Sequence, residues 1–196
     1  MSEIKRLAVF CGSSPGARPE YVEAAQAFGR LLSERGIGVV YGGSNVGVMA
    51  ALANEVLDNH GDIIGVIPRM LVDREVAHRE LPDLRIVESM HERKAMMAEL
   101  SDGFVALPGG IGTLEEFLEV WTWAQLGVHD KPCGLLNVAG YFDGLLAFID
   151  GAVKEKFVRD AHRAMLIVEE DPLMLLERFA SYEPPRVRKW ITAEAT

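Results

Sequence analysis

Pro108-Gly109-Gly110-Ile111-Gly112-Thr113-Leu114-Glu115-Glu116 is the stretch on which the reading of this chain turns. An apolar run, residues 103–107, precedes it and reads as a buried strand. A stretch of helical periodicity follows it. A glycine-rich turn at the carboxyl end of a strand, opening a helix, is an anion site. Glycine lets the backbone approach a phosphate, and the unpaired N–H groups of the first helical turn point at it. A carboxylate beside that site points to chemistry on a phosphorylated compound.

Working outward, apolar runs of the same kind recur at residues 7–11, 38–41, 63–67, 84–87, 133–137 and 166–168. Most are continuous rather than alternating, the pattern of parallel strands covered on both faces. Amphipathic helices lie between them. Tyr21, Ala24, Phe28, Leu31 and Leu32 make one stripe, with Pro19 in its first turn and Gly36 as its stop. The alternation predicts an α/β fold, Rossmann-like and doubly wound, with a mainly parallel sheet and helices on both faces. We expect one domain over residues 1–183 and an extended tail over 184–196, where Pro184-Pro185 leads into the basic segment Arg186-Val187-Arg188-Lys189.

In such a fold ligands sit at the carboxyl ends of strands. Besides the Pro108 turn, two glycine-bearing turns fall there: Gly12-Ser13-Ser14-Pro15-Gly16 and Gly42-Gly43-Ser44-Asn45-Val46-Gly47. Neither is a nucleotide fingerprint. The first lacks G-x-G-x-x-G spacing, and the second lacks a Lys-Ser/Thr pair after its last glycine. Three turns of this kind at successive strand ends nevertheless converge on one edge, with Ser13 and Gly43 as candidate binding residues.

The 196 residues carry a net charge of −9, which argues against a nucleic-acid binder. No apolar run is long enough to cross a bilayer, and the first one is too short for a secretory segment. Cys11 and Cys133 both lie in strand-like runs and read as core thiols of a reduced, cytoplasmic protein. The five histidines show no metal-ligand spacing, so neither a metal nor a cofactor is expected.

Two readings fit Glu116. Thr113-x-x-Glu116 has the spacing of a capping box, in which Thr113 caps the helix and Glu116 reaches back to its first N–H groups. Alternatively Glu116 is a sheltered acid. It lies opposite the stripe Leu114, Phe117, Leu118, Trp121 and Gln125, on the side of Trp123, so a second subunit is the expected cover there. Upstream, Ser89-x-x-Glu92 is another capping box. Arg93 opens the stripe Arg93, Met96, Met97, Leu100, where an arginine either reaches to water or pairs with an anion. Lys94 reads as solvated, His91 as a surface residue of a first helical turn, Glu75 as a polar-loop charge and Thr122 as a neutral helix position.

Taken together, these residues resemble the LOG family, cytokinin riboside 5′-monophosphate phosphoribohydrolases that also carry the label "lysine decarboxylase-like". The family hallmark P-G-G-x-G-T-x-x-E is met by Pro108 through Glu116, and its upstream Arg-Lys pair by Met90-His91-Glu92-Arg93-Lys94. Similarity extends through Cys11-Gly12-Ser13-Ser14, Gly42-Gly43, Val66-Ile67-Pro68, Trp123-Ala124-Gln125-Leu126-Gly127 and Lys131-Pro132. The resemblance implies hydrolysis of the N-glycosidic bond of an N6-modified AMP to free base and ribose 5-phosphate. It implies Arg93 and Glu116 as the catalytic pair. It implies nucleotide contacts from Glu75, Lys94, Thr122 and the turn Gly109, Gly110, Ile111, Gly112, Thr113, Leu114 and Glu115. It also implies a homodimer with the site near the subunit boundary. Family members usually read Gly-Gly-Gly in the second turn where this chain has Gly42-Gly43-Ser44, a change that bears on base selectivity. The competing readings are a nucleosidase acting on plain AMP, a nucleotide-binding module without turnover, and a pyridoxal-phosphate decarboxylase with Lys94 as its only motif lysine. On the hydrolase reading Glu116 would stabilise the oxocarbenium-like sugar and activate water. Arg93 would either orient Glu116 or grip the phosphate.

Overall fold

The computed structural model describes residues 4–72 and 77–185; Glu75 and the tail from residue 186 onward lie outside them. The described strands are β1 (Arg6–Phe10), β2 (Gly38–Tyr41), β3 (Ile63–Pro68), β4 (Asp83–Val87), β5 (Gly103–Ala106), β6 (Cys133–Leu136) and β7 (Leu166–Glu169). They form one sheet in the order β4-β3-β2-β1-β5-β6-β7. All six pairings are parallel, with Leu7 opposite both Val39 and Gly103. All seven predicted strands are present, and no end differs from the sequence reading by more than one residue. The central strands β1, β2, β5 and β6 are buried almost throughout, which is why they read as unbroken apolar runs.

Side chains alternate between two cores. Leu7 and Val9 of β1 join a layer formed with α1 (Pro19–Glu34), α2 (Gly47–Asp58) and α8 (Pro172–Ala180). Ala8 and Phe10 join the opposite layer, with α4 (Met90–Glu99), α5 (Ile111–Leu126) and α6 (Asp143–Lys154). Short helices α3 (Arg69–Val72) and α7 (Asp160–Arg163) and a 3₁₀ turn, Val138–Gly140, complete the connections. Pro19 stands at the first position of α1, and Gly36 follows its C-cap with φ +65°, as its sequence predicts.

The chain winds outward from β1 to β4, returns, and winds from β5 to β7. The direction reverses between β1 and β5, and the carboxyl ends of these neighbours diverge into a crevice. The turns after β1, β2 and β5 therefore meet at one edge. Gly12 N–H donates to the Pro108 carbonyl at 3.1 Å, joining the first turn to the third. Glycine is required at 109, because a Cβ there would overlap both the Thr113 hydroxyl and the Gly12 nitrogen.

Among the described residues no helix is long and apolar enough to cross a membrane. Cys11 and Cys133 are buried, unpaired thiols, and burial pushes both well above the usual thiol range.

Candidate active site

At the crevice, α5 begins one turn earlier than the capping-box spacing implies. Its N-cap is Gly110, whose side chain can cap nothing, and Ile111 is its first residue. Thr113 thus lies inside the helix. The Thr113–Glu116 capping box is not formed; Glu116 is instead free to reach another helix. The first bond of α5 runs from Leu114 N–H to the Gly110 carbonyl at 3.2 Å, so the N–H groups ahead of it have no partner within the helix. At the start of α4 the predicted cap does form. The Ser89 hydroxyl accepts from Glu92 N–H at 3.1 Å, and the Glu92 carboxylate accepts from Glu88 N–H at 2.8 Å.

The buried face of α5 is Thr113, Glu116, Phe117, Val120, Trp121 and Ala124. It is turned by roughly a quarter of the helix circumference from the stripe drawn on apolar residues. Glu116 therefore points into its own chain, and its shelter is intramolecular. There Arg93 Nη1 donates to Glu116 Oε1 at 2.7 Å. Both side chains are about nine-tenths buried, with 9% and 10% exposure. The guanidinium also donates through Nε to the Val66 carbonyl at 3.0 Å and through Nη2 to the Gly42 carbonyl at 3.4 Å. A Cβ at Gly42 would overlap Nη2 itself, so a side chain there would displace the guanidinium. Arg93 is thus committed to one carboxylate, a carbonyl within β3 and the carbonyl that follows β2. These bonds fix the direction of the Arg93–Glu116 contact.

The pair opens onto a cavity of about 300 Å³. Ser13, Gly42, Arg93, the turn Gly110-Ile111-Gly112-Thr113, and Glu116 line it, with apolar contributions from Phe10, Met49 and Leu71. Burial raises the Glu116 pKa above the ordinary carboxyl value, Arg93 opposing and neighbouring Glu115 adding to the rise. Cys11 also faces this cavity, but burial and the negative charge of Glu116 keep its thiol protonated.

Other sequence candidates lie elsewhere. Lys94 is not solvated as its sequence position suggested. It is 7% exposed and pairs with Glu115 at 2.5 Å and Glu119 at 2.9 Å, away from the cavity. Burial pulls its pKa down, the two carboxylates push it up, and the net direction is upward. Thr122 sits on the exposed side of α5, its hydroxyl donating to the Leu118 carbonyl at 2.7 Å. Leu114 is half-buried against the core. Gly43, with φ +73°, packs towards Val66, Ile67 and Leu84; its neighbour Gly42 takes the place at the cavity. Gly109 lines an adjoining cavity. His91 is exposed, as its position predicts.

Sequence reasoning passed over Met49, Leu71 and Cys11 as cavity lining and Glu119 as a lysine partner. Met49 and Leu71 look like ordinary core residues in the sequence, whereas Glu119, at i+3 to Glu116 and i+4 to Glu115, carried a helical-spacing signal.

Comparison with known proteins places these features in a family. A family model described as possible lysine decarboxylase matches residues 49–179. A probable cytokinin riboside 5′-monophosphate phosphoribohydrolase of Oryza sativa subsp. japonica is 50% identical over 94% of this chain and 75% of its own length. A cytokinin riboside 5′-monophosphate phosphoribohydrolase of Arabidopsis thaliana is 47% identical over 93% of this chain and 85% of its own length. Among solved structures, the molybdenum cofactor binding protein of Rippkaea orientalis superposes with a TM-score of 0.67 at 22% identity, over 92% of this chain and 98% of that one. At that identity the likeness is one of fold alone.

Proposed function

The chain belongs to the LOG family of cytokinin riboside 5′-monophosphate phosphoribohydrolases, and on that premise we propose that it hydrolyses the N-glycosidic bond of an N6-modified AMP to free base and ribose 5-phosphate. The observation that carries this reading is the buried Arg93–Glu116 pair opening onto a cavity walled by the unpaired end of α5.

The 5′-phosphate binds the N–H groups at the start of α5, with Ser13 and Thr113 as further donors. That grip sets the ribose beside Glu116 and supplies binding energy for alignment. Glu116 stabilises the positive charge that develops on the sugar and takes a proton from the attacking water. Arg93 keeps it ionised and fixed in direction. No metal and no cofactor enters these steps.

We further propose a cytoplasmic homodimer with the site near the subunit boundary. Thr122 is exposed on α5, outside the cavity of its own chain, which is where it would stand if it served the cavity of a second copy. The decarboxylase reading is the weaker one. Lys94 is held between two carboxylates, and among the described residues no lysine lines the cavity.

Product analysis with N6-isopentenyl-AMP, AMP and the matching nucleosides tests the proposal. Release of ribose 5-phosphate, fastest from the N6-modified nucleotide and negligible from the nucleosides, is expected. Equal or faster turnover of AMP would make the chain a general nucleotide nucleosidase. Binding without release would make it a nucleotide-binding module.

A further inference from the structure

Tyr141 belongs to the connection between β6 and α6, and the reaction described above gives it no part. Its ring stands edge-on to Tyr21 of α1, with centroids 5.3 Å apart and planes at 73°, and edge-on to Phe142 at 5.1 Å and 85°. Its hydroxyl donates to the Gly109 carbonyl at 2.5 Å. Tyr21 and Tyr141 wall a second cavity of about 240 Å³, which shares Ser13 and Gly110 with the catalytic one.

The backbone that delivers Tyr141 is strained. Ala139 has φ 51° and ψ 33°, a left-handed conformation that a residue with a Cβ rarely adopts, and Gly140 follows with φ 72°. Asn137, 5% exposed, holds the connection in this shape. Its Oδ1 accepts from Phe142 N–H and its Nδ2 donates to Asp143 Oδ1, both at 2.8 Å. Its own N–H donates to the Glu169 carbonyl at 2.8 Å. Strain that persists only because its surroundings fix it tends to mark a position with a task. Among the described residues the Tyr141 hydroxyl bonds to the first glycine of the Pro108 turn.

We propose that Tyr141 is a positioning residue for the phosphate grip. The peptide is planar and trans, so the direction of the Gly109 carbonyl dictates that of the Gly110 N–H, which points the opposite way. By holding that carbonyl, Tyr141 sets the orientation of the first N–H group of the turn that lines the catalytic cavity. The inference rests on the reading that this turn holds the 5′-phosphate.

The test is Tyr141→Phe, which keeps the ring and removes the O–H. Losing one hydrogen bond predicts a KM for the 5′-monophosphate raised by about fivefold, with ribose 5-phosphate affinity weakened in step. The kcat stays within about twofold and the Tm within about 2 °C, because the ring contacts remain. An unchanged KM and unchanged ribose 5-phosphate affinity would overturn the proposal. So would a joint fall of kcat and Tm at constant KM, which would make Tyr141 a packing residue. Ribose 5-phosphate binding is measured by calorimetry without turnover. If the wild-type protein hydrolysed no nucleotide, the activity would be refuted while the role of Tyr141 would still be decided.

Discussion

Two ion-pair systems link the same two helices a residue apart. Arg93 and Lys94 are consecutive on α4, and Glu116 and Glu115 are consecutive on α5. The inner pair, Arg93–Glu116, is enclosed and borders the cavity. In the outer group Lys94 is enclosed, but its partners Glu115 and Glu119 are 51% and 29% exposed. The inner carboxyl sits in surroundings that disfavour its charge, opposed chiefly by the Arg93 guanidinium and less by Lys94. The outer carboxylates are hydrated and hold an ammonium group that would otherwise be costly to bury. On the proposed mechanism the inner system makes an acid reactive, whereas the outer one fastens α4 to α5. The lesson is that burial of the carboxylate, rather than presence of a salt bridge, separates chemistry from architecture.

The largest expected effect isolates the inner carboxylate. Glu116→Gln keeps a hydrogen-bonding partner for Arg93 but removes the base, and kcat/KM should fall by about 10²–10⁴. Steady-state assay of ribose 5-phosphate release measures this, and near-normal turnover would erase the distinction between the two systems. Next comes Arg93→Gln. It leaves a buried carboxylate unpaired and should cost about 3–5 kcal/mol in urea unfolding. It also sharpens the comparison through pH. On the proposed mechanism Glu116 acts ionised, and its pKa is raised, so activity should fall as pH drops through a value above the ordinary carboxyl range. Removing Arg93 takes away the larger of the two charges that hold this pKa down, so the acid limb of kcat/KM must move to higher pH. A limb that stays in place would assign it to another group.

The smallest effects concern the outer group. Lys94→Met retains the apolar stem but strands two carboxylates, and a loss of about 2 kcal/mol in unfolding free energy is expected, with a smaller upward movement of the acid limb than Arg93→Gln gives, because Lys94 lowers the Glu116 pKa less than Arg93 does. Glu119→Gln should cost less than about 1 kcal/mol, because its charge is partly hydrated. If Lys94→Met shifted the limb as far as Arg93→Gln, the outer system would have to be counted as part of the chemistry.

The fold was legible in the sequence because a parallel sheet buried on both faces leaves continuous apolar runs. The runs 38–41 and 63–67 needed no partner information to be read as strands. The site was legible in part. The glycines of the Pro108 turn marked the strand end at which α5 opens onto a cavity, and Arg93 at the head of an apolar stripe left a choice between water and an anionic partner, of which the structure shows the second. The orientation of α5 was not legible. Apolar periodicity assigns a charged residue to the outside, and here a charged residue is buried because its partner comes from another helix. The capping-box spacing misled for a related reason. Thr-x-x-Glu occurs alike at a helix start and one turn inside, and only the run Pro108-Gly109-Gly110 decides where the helix begins. Lys94 could not be placed for want of any local signal for its two distant partners.

The guanidinium of Arg93 touches a carbonyl at the end of β2, a carbonyl in β3 and a carboxylate on α5, while being carried on α4. Four separately coded segments must therefore dock before the acid acquires its bearing. Competence to cleave is a late property of the assembling chain, and recovered enzyme activity during refolding reports the arrival of the slowest of those four.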